Sequence, residues 1–200
     1  MIKILNYNIN GISGKIENPD FINCMNHYAI VCLTETFETE DIDSDIFTYH
    51  DVYNAPATKI SKYGRSSGGV VVLVRKSLTS YMKRIPVKIN NIIVLKIDKC
   101  LFNSDNDIMF IAVYIPPYKS NYWNTEQNGY GVELLEECVQ ELYKSEQQFS
   151  LLVAGDVNGR TSNRNLNFSL IDDIDSEAKE YMCSQVKRIS QDKDINQFLA

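Results

Sequence analysis

Histidine is scarce in this 200-residue sequence. It occurs only at His27 and His50, and neither falls in a His/Cys cluster with metal-ligand spacing. That removes the usual zinc ligand sets. The cysteines, Cys24, Cys32, Cys100, Cys138 and Cys183, are odd in number, scattered and free of any Cys-x-x-Cys pair. Neither a disulfide framework nor a zinc ribbon is indicated, and they read as small buried hydrophobes. No apolar run approaches the roughly eighteen residues that a membrane helix needs, and "MIKILNYNIN" breaks its apolar start with Asn too early for a signal-peptide core. An intracellular soluble protein without a membrane partner is the expectation. "GRSSGG", residues 64–69, lacks the Gly-Lys-Ser/Thr of a phosphate-binding P-loop and reads as a turn into a strand, with Arg65 placed to meet DNA. Positive charge is also in deficit: a net charge of -6 argues against coating nucleic acid by bulk electrostatics. It leaves room for a local site where metal ions offset the charge of phosphate.

What is present is an ordinary globular composition, 44% hydrophobic and 23% charged, with length enough for one domain and a sizeable core. Short, near-continuous apolar runs predict strands covered on both faces: "IKIL" (2–5), "AIVCL" (29–33), "GVVVLV" (69–74), "IIVLKI" (92–97), "IMFIAVYI" (108–115) and "FSLLVA" (149–154). Pro19 opens a predicted helix in which Phe21, Cys24 or Met25, and Tyr28 recur at helical spacing. A second predicted helix, from Tyr130 to about Glu146, puts Val132, Leu135, Val139 and Leu142 on one stripe and acids on the other. Strands interspersed with helices, sometimes two strands in succession, predict a mixed α/β layered domain. The final "SQDKDINQFLA" starts an amphipathic pattern with Ile195, Phe198 and Leu199 and no helix terminator, so the domain, 1–200, is expected to be incomplete at its carboxyl end.

The polar groups that follow these runs carry the functional signal. The first strand continues into "NYNING", where period-two alternation puts Asn6, Asn8 and Asn10 on one face. The second delivers Glu35 in "LTET", the fifth ends at Tyr114 before Pro116 and Pro117, and the sixth opens into "GDVNGR" with Asp156 and Asn158. Each has a plain reading as a turn former, a cap or a core aromatic. Taken together they gather two carboxylates, several amides and a phenol at the carboxyl ends of strands, the edge where α/β sheets assemble their sites. Carboxylates and amides without His or Cys make an oxygen-rich site suited to Mg2+ or Mn2+ rather than zinc. Amide and phenol donors suit phosphate oxygens or an attacking water. The chemistry indicated is hydrolysis of a phosphate ester.

The ordered set "NYNING", "CLTETF", "RSSGGVVVLV", "AVYIPP" and "LLVAGDVNGR" resembles the endonuclease/exonuclease/phosphatase superfamily, and most of all the apurinic-type endonuclease domains of non-LTR retrotransposons. The resemblance implies a four-layer α/β sandwich of two packed mixed sheets, the DNase I-like fold, and magnesium-dependent hydrolysis of phosphodiesters in DNA. It implies a nuclear protein that nicks target DNA, with a reverse-transcriptase domain downstream in a longer polyprotein. By motif position Glu35 is the principal metal ligand, with Asn8 and Asn10 beside the metal and its waters; relatives often carry Asp at the place of Asn10. Tyr114 resembles the phenol that contacts the scissile phosphate, Asp156 the acid that orients the nucleophilic water or assists the leaving oxygen, and Asn158 the amide that holds phosphate. "RISQDKDIN" resembles a later stretch of the same domains, with Ser190, Asp192 and Asn196 at matching places and Asn196 as a contact to DNA.

One departure bears on these implications. The superfamily closes on a terminal Ser-Asp-His, and these 200 residues contain none. General acid-base groups of that kind contribute roughly 10² to 10⁴ in rate, so the chain as written is expected to be weak or inactive. The same-fold alternatives are a phosphatase or an abasic-site nuclease, and a third is a non-catalytic remnant. "VRKSLTSYMKR" concentrates Arg75, Lys76, Lys83 and Arg84, either a solvated face or a patch for a phosphate backbone.

Overall fold

The computed structural model describes residues 2–60, 62–117, 120, 122, 131–146 and 148–158, and all of them lie in one compact unit, Met1–Gly159. In chain order the elements are β1 (Ile4–Asn8), α1 (Ser13–Ile16), α2 (Pro19–Met25), β2 (Ile30–Thr34), β3 (His50–Ala55), β4 (Val70–Arg75), β5 (Met82–Ile85), β6 (Ile92–Ile97), β7 (Asp107–Tyr114), α3 (Gly131–Ser145) and β8 (Phe149–Asp156). They build two four-stranded mixed sheets, ordered β1-β2-β4-β3 and β5-β6-β7-β8.

The apolar runs explain the layering. In β2, Ile30 and Cys32 face one way while Val31 and Leu33 face the other, and all are fully buried. The first pair joins Val70, Val72 and Val74 of β4 against Ile93, Leu95, Phe110 and Ala112 of the second sheet, which forms the core between the sheets. The other pair joins Val71 and Leu73 beneath Met25 of α2, with Phe21 and Ile22 partly buried beside it. On the far side Val94, Met109 and Ile111 meet Cys138, Val139 and Leu142 of α3. Strands buried on both faces cannot alternate apolar with polar, and each Val, Leu or Ile so covered contributes about 1.5–3 kcal/mol. The result is the expected four-layer α/β sandwich.

The start of α2 follows from its sequence. Asn18 caps α2 by accepting from Asp20 N, with Pro19 in the first turn. The predicted apolar stripe of α3 lands on the second sheet through Leu135, Val139 and Leu142.

Several expectations need correction. The first strand, expected over 2–5 and on into Asn6, Asn8 and Asn10, lies at Ile4–Asn8, so it keeps Asn6 and Asn8 and ends before Asn10. β3 and β5 were not foreseen. β3 is an edge strand whose residues after the buried His50 are half-buried, polar and apolar alike, and β5 is four residues long with Lys83 and Arg84 exposed. Edge strands need no continuous apolar run, which is why composition hid them. Of the cysteines, Cys32 and Cys138 are buried as expected, with burial pushing their thiols up to about 12 and about 11. Cys24 and Cys100 are exposed instead, carried by a helix and by a 3-10 turn at the surface. Cys183 lies outside the described residues. No described helix is long and apolar enough to cross a membrane.

Candidate active site

The two sheets share one pairing pattern. The first runs parallel, antiparallel, antiparallel from β1, and the second does the same from β8. Packed face to face, they put β1 opposite β8, β2 opposite β7, β4 opposite β6 and β3 opposite β5. At one edge of the sandwich each opposed pair is tied by a hydrogen bond. Asn8 Nδ2 donates to Asp156 Oδ2 at 2.7 Å, and the Tyr114 hydroxyl donates to Glu35 Oε1 at 2.9 Å. Gly69 N donates to Asn91 Oδ1 at 2.9 Å, and Arg84 Nη2 donates to the Asn54 carbonyl at 2.8 Å. The carboxyl ends of β1, β2, β7 and β8 form the acidic half of this polar seam.

Backbone conformation marks the same edge. Asn10, Glu35, Phe37, Asn91 and Asn158 all take positive φ, between 41° and 61°. For a Glu or a Phe such a conformation costs on the order of 1–3 kcal/mol and persists only where the surroundings over-determine it. Here they do. Gly11 N and Ile12 N donate to the Glu35 and Thr36 carbonyls, and Thr36 N and Phe37 N donate to the Gly69 and Gly68 carbonyls. A side chain at Gly69 would bring its Cβ to 2.2 Å from Thr36 Oγ1, so the close approach of the two loops needs glycine.

Tyr114 and Asp156 are lateral neighbours in the parallel β7/β8 ladder. Burial pushes the Tyr114 phenol well above its ordinary range, helped by the Glu35 carboxylate that it bonds and by Asp156, while Arg65 pulls the other way. It therefore stays protonated and serves as a donor. Both Asp156 oxygens are engaged, Oδ2 by Asn8 and Oδ1 by Asn158 N at 2.9 Å. Asn8 Oδ1 accepts from Asn10 N at 3.2 Å, and Asn6 Nδ2 reaches the Gly155 carbonyl at 3.0 Å. The face shared by Asn6 and Asn8 is thus the face that meets β8.

Asn10 and Asn158 differ from their sequence-derived placements in detail. Asn10 sits beyond the end of β1 in a left-handed turn, and its Oδ1 accepts from Arg65 Nη1 at 3.1 Å. The Arg65 guanidinium in turn lies 3.8 Å from the centroid of the Phe37 ring. A guanidinium beside that oxygen disfavours a metal cation there. Asn158 spends an amide proton on the Ile115 carbonyl at 3.0 Å, which clamps the loop after β7 onto β8. Asn196, with Ser190 and Asp192, lies outside the described residues.

Among the described residues no three His, Cys, Asp or Glu side chains come together. The donor set is instead Glu35, one of whose oxygens has no hydrogen-bond donor among the described residues, with amide oxygens and Asp156 nearby. Such a set fits a hard cation that keeps most of its waters and binds through one or two carboxylates. The two histidines take no part. His27 is exposed, while His50 opens β3 at the opposite edge, fully buried, with Nε2 within 3.1 Å of the Tyr28 carbonyl. Sequence reasoning missed Phe37 and Asn91; the apolar "INNII" hid the latter, because a turn Asn before a strand is commonplace.

No family model matches the chain, and no curated protein matches it. Among solved structures it is similar to the catalytic domain of APE2 from Xenopus laevis, with 18% identity and a TM-score of 0.56 over 79% of this chain and 59% of that one. It is also similar to the AP endonuclease LMAP from Leishmania major, with 13% identity and a TM-score of 0.52 over 78% of this chain and 54% of that one. The chain spans little more than half the length of these structures, and it shares their DNase I-like α/β fold.

Proposed function

We propose that the chain is a divalent-metal-dependent DNA endonuclease of the endonuclease/exonuclease/phosphatase superfamily, which nicks target DNA in the nucleus and leaves a 3' hydroxyl for a downstream reverse transcriptase to extend. The observation that carries the hydrolytic reading is the convergence of Glu35, Asp156, Tyr114 and Asn8 at one sheet edge through bonds across the sandwich. The retrotransposon reading rests on the ordered motifs of the sequence.

In this reading Glu35 would hold Mg2+ or Mn2+, which supplies Lewis-acid polarisation of the phosphate and offsets its charge. Asp156, fixed between Asn8 and Asn158, orients the attacking water and takes its proton. Tyr114 positions Glu35 and presents a phenol to a phosphate oxygen. Asn10 steadies Arg65, whose guanidinium meets the phosphate backbone. Water adds to phosphorus, the bond to O3' breaks, and the departing oxygen takes a proton to become the 3' hydroxyl.

The test is nicking of supercoiled plasmid with magnesium, followed by polymerase extension from the nick. Glu35→Ala and Asp156→Ala should each abolish nicking, and undiminished nicking by either overturns the assignment. A second reading, incision at abasic sites, is favoured by the AP endonuclease fold neighbours. A duplex with a single abasic site, cleaved much faster than intact DNA, would select it.

A further inference from the structure

The seam has a second half. Two strands over from Glu35, where β3 lies opposite β5, the edge opens into a cleft of about 310 Å³ lined by Asn54, Pro56, Arg84, Pro86, Ile89 and Asn90 among others. Its volume falls at the lower end of the range for ligand pockets, about 300–1,000 Å³. Its walls pair apolar faces, Ile85, Pro86 and Ile89, with the Asn90 amide, the Asn54 carbonyl and the Arg84 guanidinium that donates to it. That combination suits a base or deoxyribose against the apolar side and a phosphate on the cation.

Charge complementarity points the same way. Residues 52–97 contain nine Lys or Arg and no Asp or Glu, in a chain whose net charge is -6. Five of these cations, Lys59, Lys62, Arg65, Arg84 and Lys88, sit on the β3–β4 connection, the end of β5 or the β5–β6 loop. The Arg65 guanidinium, which the β3–β4 connection carries, stacks on Phe37 and is tied to Asn10 on the carboxylate side of the edge. At ordinary strand spacing the cleft lies about 10 Å along the edge from Glu35. With about 3.4 Å of rise per nucleotide in a strand, that distance is about three nucleotides.

We propose that the β3/β5 cleft binds the substrate DNA strand about three nucleotides from the scissile phosphate, with Arg84 and Lys88 on its backbone. This rests on the endonuclease reading and deepens it: the carboxylate half of the seam cleaves, and the basic half holds the flanking strand. Neither Arg84 nor Lys88 belongs to the catalytic group.

The experiment measures duplex binding by fluorescence anisotropy across a salt series in EDTA, and plasmid nicking at saturating DNA with magnesium. Arg84→Glu/Lys88→Glu should weaken binding by about tenfold and lower the slope of log affinity against log salt by about two, one per phosphate contact. Nicking at saturating DNA should be unchanged. A charge-matched control, Lys76→Glu/Lys99→Glu, lies at the opposite edge and should alter binding far less. Lys88→Glu alone, at an exposed loop position, should show about half the loss of salt slope and guards against misfolding of the double variant. Equal losses in both double variants would make the effect general electrostatics and overturn the cleft, as would no loss in either. A wild-type chain that nicks and binds while the cleft variants match it sinks this inference alone; one that neither nicks nor binds DNA sinks the endonuclease reading with it.

Discussion

The two sheets share one pairing pattern and deliver their functional residues differently. The second presents Tyr114 and Asp156 as adjacent rungs of a parallel ladder, so backbone hydrogen bonding fixes their separation. The first presents Glu35 and Asn10 from left-handed turns just past the ends of β2 and β1, held by bonds between loops. One side of the site is set by regular structure and the other by strain that neighbouring loops restrain. Rigid sheet geometry cannot bring three loops to one point, and turns alone would not hold a carboxylate in place.

Breaking the ladder should have the largest effect. Gly155 lies opposite Val113 with φ 139°, and an added Cβ would stand 1.8 Å from the Val113 carbonyl oxygen. Gly155→Ala should therefore cost about 3 kcal/mol or more of stability, because backbone must move to relieve the overlap. Urea denaturation measures it, and a loss under about 1 kcal/mol would show that the ladder tolerates the shift. Next in size is Asn91→Ala. It strands the Gly69 N–H and removes the Tyr122 hydroxyl's bond to Asn91 Nδ2 in a buried setting. The expected loss is about 2 kcal/mol, since an unpaired buried donor costs about 1–3 kcal/mol. A midpoint equal to wild type would mean that the seam's third tie is dispensable.

The same contrast governs what the sequence discloses. The ladder side was legible: "IMFIAVYI" and "FSLLVA" read as buried strands, and the residues that end them stand where the pattern put them. β2, β4 and β6 were legible for the same reason, and so was the stripe of α3. The turn side was only half legible. Glu35 could be named because it follows "IVCLT", but the left-handed backbone and its ties to Gly68 and Gly69 depend on residues more than thirty positions away. Composition does not encode such contacts. Asn10 shows the limit: alternation placed it with Asn6 and Asn8, and the strand ended before it, so its amide turned to Arg65. β3 and β5 escaped because edge strands may be polar on one face.

Strain on the turn side gives a smaller and opposite effect. In a Tyr114→Phe background, where no hydroxyl is left to strand, Glu35→Gly should raise stability by up to about 1 kcal/mol, because glycine accepts a positive φ without penalty. The variant should gain melting temperature and show no nicking. A loss of stability would mean that Glu35 is not strained and that the contrast between the sheets is one of geometry only.

The smallest effect lies at the edge away from the site, where β3 and β5 begin. At the start of β5 the second sheet has Met82; at the start of β3 the first has His50, fully buried, with Nδ1 lacking a partner among the described residues. Burial lowers the His50 pKa below its ordinary 6.5; Arg75 and Lys76 add to the shift, while the Tyr28 carbonyl and Asp51 oppose it. The unfolded chain therefore binds more protons than the folded one below about pH 6.5. Stability is fully present above that value and declines as the pH falls toward the depressed folded value, by at most about 1.4 kcal/mol per pH unit for one group. His50→Met, which makes this position of the first sheet like the second, should flatten that part of the profile between pH 7.5 and 5. Urea midpoints across that range decide it: parallel slopes for wild type and variant would exclude His50 as the source. A flattened slope would show that one buried histidine of the first sheet is felt as acid sensitivity, remote from the carboxylates.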